Sequence, residues 1–306
     1  MRQLEQLQQL EQLQQWEQRL WRLWGWGRRG LKRLEGVGLG WRRQLAHFID
    51  TWEGLGFVEV LAEQLDERGA LPEPLLQLKE RGVPVVVHGV SLGLGGAEPP
   101  SPARLSRLAR LAERLGAVCV SEHLAFVRAG GLESGHLLPV ARHEESLEVL
   151  TDNIRRAEAA LPVPLALENV ASLFEWPEPA FCEAGLLTGV LERTGAGVLL
   201  DVANLYANAL NLGTDARAVL AAVPRERLAY VHVAGGVRHG GLYHDTHAHA
   251  VPEGPLALLE ELTARVGPVP ALLERDDRFP PVDELAGELE AMRVAMARGV
   301  ARREAA

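Results

Sequence analysis

From residue 36 onward, short apolar runs alternate with stretches whose apolar positions recur at helical spacing. Val37–Gly40, Phe57–Leu61, Val83–His88, Val118–Ser121, Pro164–Glu168, Val198–Asp201, Leu228–Val233 and Pro270–Glu274 read as eight strands. Between them, Pro102–Leu115 puts Leu105, Leu108, Leu111, Ala112 and Leu115 on one face, with Ser101 at the N-cap and Pro102 at the first helical position. Glu144–Ala160, Glu178–Arg193, Asp215–Val223, Leu256–Arg265 and Val282–Ala297 read as further helices. Strands that are apolar nearly throughout are buried on both faces, so eight of them interleaved with helices predict a parallel (β/α)8 TIM barrel. An open doubly wound sheet would begin with a Gly-rich phosphate loop. Gly36-Val37-Gly38-Leu39-Gly40 lacks that spacing and reads as a tight strand end.

Upstream, Leu4, Leu7, Leu10, Leu13 and Trp16 recur every third residue among glutamines, and Trp21, Trp24 and Trp26 follow among arginines. These residues favour helix as far as about Leu23, but a three-residue step winds around a helix and makes no heptad seam. Residues 1–34 thus read as a helical or disordered extension, and residues 35–300 as the barrel.

Composition narrows the classes. The 306 residues carry 32 Lys and Arg against 41 Asp and Glu, a net charge of −9, with 10 His and 2 Cys. Seven basic and three acidic side chains fall in residues 1–34, so the extension is +4 and the remainder −13. An acidic body argues against nucleic acid as a partner. No apolar run reaches the length of a membrane span. Two cysteines form neither a disulfide framework nor a thiolate cage, which makes a cytoplasmic setting the default. Cys119 and Cys182 are expected to be structural.

A barrel carries its chemistry where its strands end. Here the apolar runs end in His88, in Glu122-His123, in Glu168-Asn169, in Asp201 with Asn204 three residues on, in His232 and in Glu274. The loop after the seventh strand adds His239, His244, Asp245, His247 and His249. A lone strand-end His is usually a hydrogen-bonded core residue. Four strand-end carboxylates converging on one mouth are different, because buried like charges need cations beside them. Imidazole with carboxylate suits zinc, iron or manganese. The Asp245-Thr246-His247 spacing, on an extended segment, points a carboxylate and an imidazole to one side; His244 and His249 flank it and read as solvated or as supporting the ligands from behind.

The motif order Glu, Asp, His, Asp-x-His, Glu resembles the xylose-isomerase-like and endonuclease IV superfamily of barrels. Val120-Ser-Glu-His-Leu-Ala-Phe126, Leu137-Leu-Pro139, Leu167-Glu-Asn-Val170, Leu199-Leu-Asp-Val-Ala-Asn-Leu-Tyr206 with Asn211-Leu-Gly213-Thr-Asp215, His232-Val-Ala-Gly235, Asp245-Thr-His247 and Leu273-Glu-Arg-Asp276 narrow the likeness. They resemble the multinuclear non-haem iron-dependent oxidative enzymes of methanobactin and 3-thiaglutamate biosynthesis, over about Gly36 to Ala297. The resemblance implies a barrel with two or three mixed-valent irons and O2 as co-substrate. It also implies a cysteine-containing ribosomal precursor peptide as substrate and a small leader-binding partner protein. Carried over, the metal ligands are His88, Glu122, Glu168, Asp201, His232, Asp245, His247 and Glu274, with Asn169 and Asn204 ligating or orienting them. Asp245, His247 and Glu274 form the catalytic set, and Glu59 and Glu63 are expected in the wall of the site. The family's first-strand His has no counterpart in register, since Trp41-Arg42-Arg43 leads only to His47, and Val140-Ala-Arg-His-Glu-Glu145 departs from the family's wording. A zinc-, magnesium- or manganese-dependent hydrolase or isomerase and a non-catalytic metal-binding protein are the alternatives. Asn204 stands where an endonuclease of the superfamily would offer His.

Overall fold

The computed structural model describes residues 34–306; the expected helix through Leu23 lies outside the described residues. In chain order the strands begin with β1 (Val37–Trp41), β2 (Val58–Leu61), β3 (Val85–His88) and β4 (Cys119–His123). A hairpin of β5 (Ala125–Ala129) and β6 (Leu132–Pro139) follows, then β7 (Leu165–Glu168), β8 (Gly197–Asp201) and β9 (Leu228–Val233). A second hairpin, β10 (Gly236–His239) with β11 (Leu242–Asp245), precedes β12 (Ala271–Leu273). β1, β2, β3, β4, β7, β8, β9 and β12 pair in parallel in that order, and β12 pairs back onto β1 to close the barrel. The helices are α1 (Ala46–Thr51), α2 (Glu73–Glu80), α3 (Pro102–Leu115), α4 (Glu144–Ala160), α5 (Glu183–Arg193), α6 (Val202–Leu212), α7 (Ala216–Ala222), α8 (Glu253–Val266) and α9 (Val282–Glu304).

Alternate strand residues point to opposite faces, and here both faces are buried. Leu39, Val60, Val87, Val120, Leu167, Leu200, Val233 and Leu273 join the apolar layer between strands and helices. Their neighbours Gly38, Glu59, Ser121, Tyr230 and His232 therefore face the barrel interior. Phe57 and Tyr230 meet there edge to face, with ring centroids 5.8 Å apart. Gly38 is what admits Phe57, because a Cβ at position 38 would lie 2.8 Å from the ring.

Two departures from the sequence pattern have local causes. α5 starts at Glu183, not Glu178: Pro177 and Pro179 drive the residues before them out of the helical region, and Glu178 sits at φ 54°. Cys182 then caps α5, its Sγ accepting from the Gly185 amide at 3.4 Å. α6 follows β8 without a loop, and Asp201 serves as strand end and N-cap at once. Val202, Ala203, Leu205 and Ala207 are buried, and so are Asn204 and Asn208 of the polar row Asn204, Asn208 and Asn211, so that row is not the solvent side of a surface helix. Among the described residues no helix is long and apolar enough to cross a membrane.

Candidate metal centre

The interior-facing positions at the C-terminal strand ends form a continuous bed of carboxylate and imidazole. Among the described residues four overlapping groups bring ligand atoms within 4.8 Å of one another: His88, His123 and Glu168; Glu168, Asp201, His232 and Glu274; Asp201, Asp245 and His247; and His247, Glu274 and Asp276. Ligands on one ion, each at about 2.0–2.3 Å, lie up to about 4.5 Å apart. Glu168, Asp201, His247 and Glu274 each belong to two groups, and a carboxylate so shared could serve two neighbouring ions.

Beneath this bed a buried network orients the rings. Tyr230 Oη is hydrogen-bonded to Glu59 and lies 2.7 Å from Ser121 Oγ. His232 Nε2 lies 2.9 Å from the same Glu59 carboxylate, and His88 Nδ1 lies 2.8 Å from Ser121 Oγ. An Nε2–H donated to Glu59 leaves the His232 Nδ1 lone pair facing Glu168, at 3.2 Å, and Glu274, at 3.0 Å. His88 Nε2 likewise faces Glu168 Oε2 at 3.4 Å, where His123 Nε2 arrives at 3.1 Å.

Asn169 and Asn204 brace Asp201. The Asn169 side chain accepts from the Asp201 amide at 2.9 Å and donates to its carbonyl at 3.0 Å. The Asn204 amide donates to Asp201 Oδ1 at 2.7 Å, and its side chain donates to the Asn169 carbonyl at 2.9 Å.

Glu122 is not brought into any of the four groups. Its carboxylate accepts from the Leu92 and His123 amides, each at 2.5 Å. Strand alternation explains the exchange: on β4, Ser121 and His123 share the interior face and Glu122 turns the other way. His123, which sequence reasoning left out, takes the place expected of Glu122. The dipeptide Glu122-His123 contained the signal once Ser121 is set as inward.

Asp245 and His247 do meet, at 2.5 Å, but through a turn and not on an extended segment: His247 sits at φ 50°. Its other nitrogen, Nδ1, lies 3.3 Å from both Glu274 and Asp276. Asp276, in the loop after β12, was also missed, although the Leu273-Glu-Arg-Asp276 motif contains it. Glu63 lies outside the four groups and accepts from Ser91 Oγ at 2.5 Å, and His47 is exposed on α1. His249 pairs with Thr246 and His244 with the His239 carbonyl, outside the four groups.

The charges are strongly coupled. Burial opposes ionisation of Glu168, yet His123 and His232 hold its carboxyl down at about 2. Burial would lower His123, but Glu168 and Glu122 push it up to about 9. His232 and His247 are likewise held well above their ordinary value, against burial, by Glu59 and Glu168 and by Asp245 and Glu274 respectively. Burial, with Asp245 and Glu168 nearby, raises Asp201. Without another cation, protons on the imidazoles balance the carboxylates.

Glu168 Oε2, Asp201 Oδ2, His232 Nδ1 and Asp245 Oδ1 are buried and, among the described residues, make no hydrogen bond. Such orphaned acceptors, aimed at one another, fit a set of divalent cations.

The closed parallel barrel is similar in fold to xylose-isomerase-like barrels. A xylose isomerase domain protein from Alicyclobacillus acidocaldarius superposes with a TM-score of 0.57 at 20% identity, covering 87% of this chain and 99% of that one. An L-ribulose 3-epimerase superposes with a TM-score of 0.56 at 17% identity, covering 89% and 97%.

Residues 36–297 match the family of RiPP precursor modification enzymes MbnB/TglH/ChrH, and the chain belongs to that family. It is 51% identical over 265 residues to a UPF0276 protein of Streptomyces avermitilis, covering 84% of this chain but only 54% of that longer relative. A UPF0276 protein of Caulobacter vibrioides is 38% identical over 271 residues, covering 88% of this chain and 97% of the relative.

Proposed function

We propose that the protein is a multinuclear non-haem iron enzyme that uses O2 to oxidise a cysteine in a ribosomally synthesised precursor peptide. The observation that carries this reading is the bed of overlapping imidazole and carboxylate groups, with Glu168 and Asp201 shared between neighbours. A set of oxygen and nitrogen donors without thiolate suits iron, and the sharing suits several ions side by side. When bound, iron supplies one-electron chemistry and activation of O2.

The protein's own part is to hold and to exclude. His88, His123, Glu168, Asp201, His232, Asp245, His247 and Glu274 are the ligand set, and Glu59, Ser121 and Tyr230 fix the ring orientations of His88 and His232 from below. His247 and Asp245 lie at the more open edge of the bed, which is where a substrate cysteine would enter. Beside the mouth, Leu173, Phe174 and Trp176 are exposed on the loop after β7, and Phe174 and Trp176 line a groove with Val140, Leu186 and Leu187. An apolar groove next to the site suits a peptide substrate. Delivery of that peptide by a small leader-binding protein, and a cytoplasmic setting, complete the proposal.

Anaerobic purification followed by metal analysis and Mössbauer spectroscopy tests it, together with O2 uptake on a cysteine-bearing precursor peptide encoded beside the gene. Iron with peptide-dependent O2 uptake is expected. Zinc alone, with no iron after anaerobic preparation, overturns the iron reading in favour of a hydrolase or isomerase.

A further inference from the structure

The fourth ligand group, His247, Glu274 and Asp276, differs from the others in already facing a cation. Arg42 directly follows β1, and its side chain is only 2% exposed. Its Nε donates to Asp276 Oδ1 at 2.9 Å, and one terminal nitrogen also bonds that oxygen and lies 3.5 Å from Glu274 Oε1. The other terminal nitrogen donates to the Trp41 carbonyl at 3.0 Å. Gly40 leaves room for this placement, since a Cβ there would lie 3.3 Å from the guanidinium.

We propose that Arg42 is a built-in cation that takes the outermost ligand group in place of a metal ion and so limits the bed to three ions. The proposal rests on the metal-centre reading above and deepens it. Burying a guanidinium is costly unless carboxylates meet it, and Asp276 and Glu274 meet it. A divalent ion on the same two carboxylates would sit against a fixed positive charge at close range, in a partly desolvated site. The same contact sorts the two nitrogens of His247. Asp276, held by Arg42 through Oδ1, offers Oδ2 to His247 Nδ1 at 3.3 Å. That arrangement assigns the Nδ1 proton to Asp276 and leaves the Nε2 lone pair for the group shared with Asp245 and Asp201. One imidazole therefore serves one ion and does not stand between two.

The test counts ions in the full chain and in Arg42→Met and Arg42→Lys. Each is loaded anaerobically with Mn2+ or with Fe2+, desalted and analysed for metal per chain, with circular dichroism as the check on folding. At most three ions are expected in the wild type and in Arg42→Lys, and one further ion in Arg42→Met. Four ions in the wild type overturn the proposal, as does an Arg42→Met count equal to or below that of the wild type. Anomalous scattering from Mn2+-loaded wild-type crystals decides the matter even where Arg42→Met does not fold: signal at Asp276 overturns the proposal, and signal confined to the three inner groups supports it. A protein that binds no ion of either kind defeats the metal-centre reading itself. A count of at most three with no iron-dependent oxidation defeats only the iron reading and leaves the role of Arg42 standing.

Discussion

The inner and outer halves of the ligand bed are built differently. The inner half, His88, His123, Glu168, Asp201 and His232, sits on barrel strands and is buried. The outer half, Asp245, His247 and Asp276, sits at a hairpin end and on the loops beyond it. There the side chain of His247 is 19% exposed and that of Asp276 35%. Strand residues are fixed by the pairing of their neighbours on both sides, whereas loop residues are fixed by a few local contacts. If the proposed function holds, the inner half would keep its ions through turnover and the outer half would exchange a ligand for substrate.

The largest expected effect comes from the residue that the inner groups share. Glu168→Ala removes a donor from two ligand groups, and loss of most bound metal is expected with the barrel still folded. Activity on the peptide should fall about a thousandfold or more, the equivalent of about 4 kcal/mol of lost charge stabilisation. Metal analysis with circular dichroism checks this, and full metal retention would break the division at its base. His247→Ala should cost one ion only and spare the inner ones. Loss of every ion in that variant would show the two halves to be a single cooperative unit.

Glu59→Gln probes the inner half from below without touching a ligand. It weakens the acceptor that orients His232, and metal affinity should fall about 10- to 100-fold, the usual penalty for disturbing a partner that orients a ligand. Titration with a metal-indicator dye reads it. The corresponding change at the rim, Ser91→Ala beside Glu63, should leave affinity unchanged.

The strand-borne half was largely legible in the sequence because a strand repeats every two residues and ends abruptly in a polar side chain. His88, Glu168, Asp201, His232 and Glu274 could each be read that way. His123 was lost to its neighbour because two polar residues end β4 in succession, and only the inward position of Ser121 tells them apart. The outer half depends on backbone turns that leave no period in the sequence. Nothing in Asp-Thr-His announces that His247 adopts φ 50°, and nothing at Arg42 announces a partner 234 residues away in Asp276.

A pH titration separates protons from metal in the inner half. With no metal bound, His123 has its pKa raised to about 9 from an ordinary 6.5. Its protonated form therefore stabilises the fold fully below pH 6.5, and that stabilisation is lost as pH rises towards 9. Metal binding needs the neutral imidazole, so apparent metal affinity should rise over the same interval. The gap in melting temperature between metal-loaded and metal-free protein should widen from pH 6.5 to 9. A gap independent of pH would mean that His123 is not a ligand.

The smallest expected effect tests whether the floor of the inner half is structural or functional. Tyr230→Phe removes the hydroxyl that meets Glu59 and Ser121 but leaves the ring packed on Phe57. Glu59 keeps His232, and His88 keeps Ser121, so both rings hold their orientation through a remaining partner. Loss of a buried hydrogen bond of this kind costs about 1–2 kcal/mol, or about 2–4 °C in melting temperature for a chain of this size. Metal count should not change. A lower count would mean that the Tyr230 hydroxyl holds both rings at once, and that the inner half depends on its floor as much as on its ligands.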